Sequence, residues 1–212
     1  EPMRYAGLGR QDQDRTIDEL FEAVGLRPEQ KALFPHQFSG GQRQRIGIAR
    51  ALSTRPSLII CDESVSALDV AVQAQILNLL KSLQEQFRLT YLFISHDLGV
   101  VQHMCDEIAV MYMGKIVEQA DRDSFFTAPR HPYSRALLQA VPSINRPLEA
   151  PETKLVEGPI PDLPQPQAGC RFASRCRHAV PACSERVPQL EYLETAAPHR
   201  VACHRVAEIG EG

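Results

Sequence analysis

No Gly-x-x-x-x-Gly-Lys-Ser/Thr loop occurs in these 212 residues, so the lysine-bearing turn that normally cradles a nucleotide's phosphates is missing. No apolar run approaches the roughly 18 residues of a membrane-spanning helix. No basic stretch followed by an apolar one opens the chain, as a secretory signal would. There is no basic excess either: 23 Lys and Arg against 26 Asp and Glu give a net charge of -3. That balance argues against a dedicated nucleic-acid binder. Six cysteines are present, yet no Cys-x2–4-Cys pair of the kind zinc prefers. Internal repeats are absent. What is there is ordinary for a folded chain, with 43% hydrophobic and 23% charged residues. The length suits one domain with an appendage, or two small domains. The chain opens on Glu1 in a polar segment and reads as a fragment or a processed chain.

Hydrophobic spacing sets out the elements. Ile17, Leu20, Phe21 and Val24 form one helical stripe over Arg10 to Val24, and Gly25 stops it. A second helix is expected after Ser39, running to about Thr54. "SLIIC", Ser57 to Cys61, reads as a short buried strand. Ile76, Leu79, Leu80, Leu83 and Phe87 put a helix over Gln75 to Phe87, and "TYLFIS", Thr90 to Ser95, reads as another strand. Strand, helix, strand in that order predicts a βαβ unit with a parallel pair. "EIAVMYM" and "KIVEQA", split by Gly114, predict a hairpin. Prolines then crowd the chain, and Arg146 to Gln167 reads as an extended linker. A Cys-rich tail follows from Gly169, and the closing "EIGEG" reads as disordered.

The candidate chemistry lies at three turns. Ser39-Gly40-Gly41-Gln42 opens a helix, with Ser39 suited to the N-cap. Glycines there let backbone N–H groups approach an anion, and the helix dipole favours negative charge. The plainer reading is a simple turn, with Arg43, Arg45 and Arg50 on a solvated face. "LIICDES" ends an apolar strand in Asp62 and Glu63, at the strand edge where α/β sheets bind ligands. The first carboxylate suits Mg²⁺ through water, and the second can orient or deprotonate an attacking water. Alternatively the pair only caps a turn. "LFISHD" repeats the geometry with His96, which can hydrogen-bond a terminal phosphate or serve as a structural histidine at a helix start.

Taken in order, S-G-G-Q, strand-Asp-Glu, Ser66-Ala67-Leu68-Asp69 and strand-His resemble the ATP-binding cassette (ABC) transporter ATPases over Gln37 to about Ala120. The resemblance implies an α/β fold. It would be a partial P-loop NTPase (ABC ATPase) parallel sheet with a helical subdomain and a small Cys-rich C-terminal extension. Phe38 to Gln42 would be the signature loop, Leu58 to Asp62 the Walker B strand and Glu63 the catalytic carboxylate. Ser66 to Asp69 would be the D-loop and His96 the switch histidine. Catalysis then falls to Glu63 and His96, and ATP binding to Ser39, Gly40, Gly41, Gln42, Asp62 and Asp69, with Asp62 holding Mg²⁺ through water. ABC ATPases pair head to tail, so Ser39 to Gln42 would hold the terminal phosphate of a partner's ATP. The phosphate loop and glutamine loop belong upstream of Glu1, and the segment alone is expected to bind ATP weakly and to be inactive. Ser64 stands where the family usually has proline, which would loosen the placement of Glu63.

"RHPYSRALLQAVP", Arg130 to Pro142, with "GCRFASRCRHAVPAC" and "HRVACH", resembles the extension of oligopeptide and dipeptide transporter ATPases; nickel importers are close relatives. The implied layout is residues 1–35 in a helical subdomain, 36–127 in the ATPase core, 128–168 in the extension and linker, and 169–212 in a cluster-binding tail. Implied partners are a second ABC ATPase subunit, identical or related, two integral membrane permeases and, indirectly, an external binding protein, with no nucleic acid. The implied place is the cytoplasmic face of the cell membrane, held peripherally. A soluble ABC protein acting on ribosomes or DNA is the competing class. Cys61 reads as a core residue and Cys105 as structural. Cys170, Cys176, Cys183 and Cys203 follow a C-x5-C-x6-C-x19-C spacing in a tail too small to build a good core. A reducing compartment disfavours disulfides, which leaves a [4Fe–4S] cluster or Zn²⁺; the resemblance favours the cluster. His178, His199 and His204 read as surface or supporting residues.

Overall fold

The structure is a computed structural model and describes residues 2–141, 168–194 and 198–209. The proline-rich linker expected over 146–167 lies outside the described residues. Two compact units divide the chain, Glu1–Met104 and Cys105–Gly212.

The first unit starts with helices α1 (Pro2–Tyr5) and α2 (Arg10–Ala23). The expected stripe is the buried side of α2: Leu20 and Val24 are buried, with Phe21 packed beside them. Two 3₁₀ turns follow, Pro28–Ala32 and Pro35–Gln37, each opened by proline at a position that needs no N–H donor. In each, a glutamine reaches back to the chain entering the turn. Gln30 Oε1 accepts the Arg27 N–H at 2.8 Å and Gln37 Oε1 accepts the Phe34 N–H at 2.8 Å. Helix α3 (Gly40–Leu52) uses the same device a third time.

Strand β1 (Leu58–Asp62), helix α4 (Val70–Phe87) and strand β2 (Thr90–Ile94) form the expected unit, with β1 and β2 parallel and Asp62 opposite Ile94. Helix α4 begins five residues earlier than hydrophobic spacing suggests, because the Asp69 carboxylate caps it through the Val72 N–H at 2.9 Å. Ile76, Leu77, Leu80 and Leu83 are its buried side. Among the described residues the strands are covered on one face only. Cys61 is buried and Ile59, Tyr91 and Phe93 join the core, whereas Leu58, Ile60, Leu92 and Ile94 are exposed. Where the apolar run predicts a buried strand, β1 is covered on one face among the described residues. Helix α5 (Leu98–Met104) closes the unit.

In the second unit the hairpin forms as expected. Strands β3 (Glu107–Tyr112) and β4 (Lys115–Asp121) pair antiparallel, with a bulge between Val110 and Met111. Helices α6 (Arg122–Thr127), α7 (Pro132–Ala140) and α8 (Pro181–Glu185) follow. The tail then returns to the hairpin: β5 (Glu191–Tyr192) and β6 (His199–Val201) extend it to a four-stranded sheet of order β3-β4-β6-β5. Helix α9 (Val206–Ile209) buries Ile209, so the expectation of disorder fails for Glu208 and Ile209. Tyr112, Tyr133 and Phe172 pack as an aromatic cluster with ring centroids 4.6 to 5.5 Å apart. No described helix is long and apolar enough to cross a membrane.

Candidate functional site

The first candidate site is built from three turns of the first unit. At α3, the Ser39 hydroxyl accepts the Gln42 N–H at 3.3 Å while Gln42 Oε1 accepts the Ser39 N–H at 2.9 Å. This reciprocal cap uses two of the donors that a helix start leaves over, and the Arg43 N–H bonds the Ser39 carbonyl. The N–H groups of Gly40 and Gly41 have no backbone acceptor among the described residues. Two aligned donors thus remain at the positive end of the helix dipole. Ser39 and Gly40 are exposed. Arg45 departs from the solvated-face reading: its Nη1 donates to the Val24 carbonyl at 2.6 Å and ties α3 to the end of α2.

At the carboxyl end of β1, Asp62 is exposed. Glu63 sits at φ 44°, in the left-handed region that a non-glycine residue rarely adopts. Its backbone N–H donates to the Ile94 carbonyl at 2.9 Å, which extends the strand pairing one step into the turn. His96 follows β2, and its Nδ1 lies 3.0 Å from Glu63 Oε1, with both side chains largely exposed. The two sequence-separated candidates are therefore adjacent. Behind them, burial pushes the Cys61 thiol up to about 11, with the Ser64 hydroxyl partly offsetting it. Ser64 Oγ itself is buried and makes no well-formed hydrogen bond.

The second candidate site lies in the second unit. Cys170, Cys176, Cys183 and Cys203 line one pocket with His131, Phe172, His178 and His204. The Cys170 N–H bonds the Cys183 carbonyl at 2.7 Å, which draws two of the cysteine-bearing segments together. Burial raises the thiol pKa values of Cys170, Cys176 and Cys203, and the neighbouring cysteines raise them further. Among the described residues, no group of three or more His, Cys, Asp or Glu converges tightly enough to hold a metal ion.

Beside this pocket is a buried polar network that the sequence reading missed. Glu118, fully buried on β4, accepts the Arg130 N–H at 2.7 Å and the His131 N–H at 2.8 Å, and meets His199 Nε2 at 2.7 Å. His199, expected as a surface or supporting residue, is 2% exposed and takes the supporting place. His131 Nδ1 accepts the Tyr133 N–H at 3.1 Å and so caps α7. Burial lowers the His131 pKa to about 4, with the Glu118 charge opposing that shift. The signal that could have found the network is Glu118 itself, a carboxylate at an inward position of an alternating strand.

Comparison with known proteins matches residues 3–66 to the ABC transporter family model, and residues 117–183 to the model of the oligopeptide/dipeptide transporter C-terminal region. The oligopeptide transport ATP-binding protein AppF of Bacillus subtilis is 49% identical, over 91% of this chain and 58% of its own length. The putative oligopeptide transport ATP-binding protein YkfD of the same organism is 49% identical, over 100% of this chain and 65% of its own length. The di/tripeptide transport ATP-binding protein DppF of Pseudomonas aeruginosa is 43% identical, over 99% and 64%. The chain thus spans about three fifths of the length of these curated relatives. Among solved structures, the ADP conformation of MJ1267, an ATP-binding cassette of an ABC transporter, superposes with a TM-score of 0.55 at 22% identity, over 63% of this chain and 52% of that one. That likeness establishes the α/β cassette fold.

Proposed function

Because the chain belongs to the ABC transporter family and carries the C-terminal region of oligopeptide/dipeptide transporters, we propose that it is part of an ATP-binding, ATP-hydrolysing importer subunit. That subunit drives uptake of di- and oligopeptides across the cytoplasmic membrane. The observation that carries this reading is the pairing of Glu63 with His96 at the carboxyl ends of two parallel strands, in the same unit as a capped glycine turn.

Phosphoryl transfer to water asks a protein mainly for positioning and charge neutralisation. Glu63 accepts a proton from the attacking water and orients it. His96 holds the Glu63 carboxylate through Nδ1 and presents its other ring nitrogen to the terminal phosphate. Asp62 would hold Mg²⁺, through water, and the ion would supply neutralisation of phosphate charge. Ser39, Gly40 and Gly41 grip the terminal phosphate of ATP carried by a second cassette, identical or related. Gln42 commits its oxygen to the Ser39 cap and keeps its amide N–H groups as donors. Asp69 fixes the start of α4, beside the partner. Closing two cassettes on ATP moves two permeases, fed by an external binding protein, while this subunit stays on the cytoplasmic face.

Residues 1–35 serve as part of the helical subdomain, 36–127 as the ATPase core, 128–168 as the extension with its linker, and 169–212 as the cluster-bearing tail. Cys170, Cys176, Cys183 and Cys203 would hold a [4Fe–4S] cluster, with Zn²⁺ as the alternative. What supports this is that the four cysteines line one pocket and lack the Cys-x2–4-Cys pairs that zinc prefers. Bound there, the cluster would supply a cross-link between the tail segments that carry the four cysteines.

The test is reconstitution of the intact protein with its co-purifying membrane subunits in vesicles. ATP-dependent accumulation of a labelled peptide is expected. Uptake of nickel in place of peptide, or isolation without any membrane subunit, would overturn the reading.

A further inference from the structure

The two glycines of the Ser39–Gln42 turn stand in different surroundings. A Cβ built on Gly40 meets only the Leu68 Cδ2 at 3.9 Å, an ordinary contact. A Cβ built on Gly41 comes within 2.7 Å of Val72 Cγ1. Both glycines lie in the first turn of α3 with φ outside the left-handed region, so neither is demanded by backbone conformation. Alanine at either position has the higher helix propensity. Only space separates them.

Val72 cannot yield that space easily. It lies in the first turn of α4, where its own N–H is held by the Asp69 carboxylate at 2.9 Å. A β-branched side chain on a helix is confined to essentially one rotamer. Val72 is half-buried, packed against the core that Ile76 and Leu80 continue along α4. The next residue, Gln73, reaches Asp97 beside His96 at 3.4 Å. One helical turn therefore carries the Asp69 cap, a methyl seated on α3 and a link toward the histidine turn.

We propose that Val72 is a positioning residue for the phosphate-gripping turn. Its Cγ1 methyl seats in the space left by the absent side chain of Gly41 and sets where the α3 N–H groups point. Gly40, by contrast, is bare so that a phosphate can approach. The inference rests on the reading of residues 39–42 given above and divides that motif into a ligand-facing glycine and a packing glycine.

The test uses the intact protein and a size swap between Gly41 and Val72. Gly41→Ala is expected to lower kcat at least about tenfold, with KM for ATP changed less than about threefold, and to lower the melting temperature. Val72→Ala on top of Gly41→Ala makes room for the new methyl. The double variant is expected to recover both kcat and melting temperature above the additive expectation from the single variants. Gly40→Ala is expected to lower kcat without lowering the melting temperature, and Val72→Ala should not rescue it.

Absence of rescue in the double variant, with the wild type active, overturns the proposal. So does rescue of Gly40→Ala by Val72→Ala. A wild type without ATPase activity refutes the functional reading instead, and the melting temperatures of the wild type, Gly41→Ala, Val72→Ala and their double variant still decide whether Gly41 and Val72 are coupled.

Discussion

His96 Nδ1 lies 3.0 Å from Glu63 Oε1 across 33 residues of sequence. With Glu63 ionised, the bond requires an N–H on Nδ1. A neutral ring then has only a lone pair on Nε2. Donation to a phosphate from Nε2 therefore needs the imidazolium, or release of His96 from Glu63. On the proposed reading, the pair would link the proton acceptor to the group that meets the phosphate. Glu63→Gln in the intact protein keeps an acceptor for His96 but removes the proposed base. ATP hydrolysis should fall at least about 100-fold while ATP affinity changes only a few-fold. Nucleotide binding by calorimetry and phosphate release check this, and a variant retaining more than about a tenth of its hydrolysis would remove Glu63 from the base role.

Glu118 is the structural counterpart in the second unit. Two backbone N–H groups and His199 depend on it. Glu118→Ala leaves those partners buried and unpaired and should cost about 3–5 kcal/mol. Glu118→Gln keeps a carbonyl acceptor and should cost less. Chemical denaturation of both variants gives the comparison, and equal stability of wild type and Glu118→Ala would show that the network contributes nothing.

Reading the sequence recovered α2, α3, α4, the β1–β2 pair and the β3–β4 hairpin because each carries its own period and its own stop signal. The placement of Ser39, Asp62, Glu63 and His96 was legible for the same reason: each lies at an element's end or within two residues of it. What was not legible depended on distant partners. Strands β5 and β6 are short, and they exist as ladders only because β4 offers an edge. His199 read as either a surface or a supporting residue, and only the pairing of β6 with β4 places it against Glu118. The Val72 contact with Gly41 is a helix-to-helix distance that no local pattern encodes. The open face of β1 was hidden by its apolar run, which cannot say how many sides are covered.

For the four cysteines, the expected outcome is a broad absorbance band near 400 nm in anaerobically isolated protein, with about four iron atoms per chain. Stoichiometric zinc without iron would refute the cluster. Serine at any one of Cys170, Cys176, Cys183 or Cys203 should lower the iron content.

Gly169 offers an independent handle on the same pocket. A Cβ there falls 2.2 Å from the Cys183 carbonyl oxygen and 2.6 Å from the Ser184 carbonyl carbon, both backbone atoms that no rotamer change can move. Gly169→Ala must therefore separate the segments bearing Cys170 and Cys183. The expected result is lower iron content together with a loss of about 1–3 kcal/mol in stability. Full iron loading and unchanged stability would show that the two segments are not held together there.

The pH dependence of stability follows from His131. Its Nδ1 accepts the Tyr133 N–H, so protonating that nitrogen would set one N–H against another and leave α7 without its cap. Burial is the larger cause, and the pKa falls from 6.5 to about 4. Above pH 6.5 neither folded nor unfolded chain binds this proton, and the stability is fully present. As pH falls from 6.5 toward 4, the unfolded chain takes up the proton and the folded chain does not, so stability is lost across that window. The loss approaches about 3 kcal/mol. His131→Asn keeps a side-chain acceptor suited to an N-cap and removes the titration. Denaturant midpoints measured from pH 7.5 to pH 4 should therefore fall more steeply for wild type than for His131→Asn. Parallel curves would mean that His131 takes up its proton as readily in the folded chain as in the unfolded one.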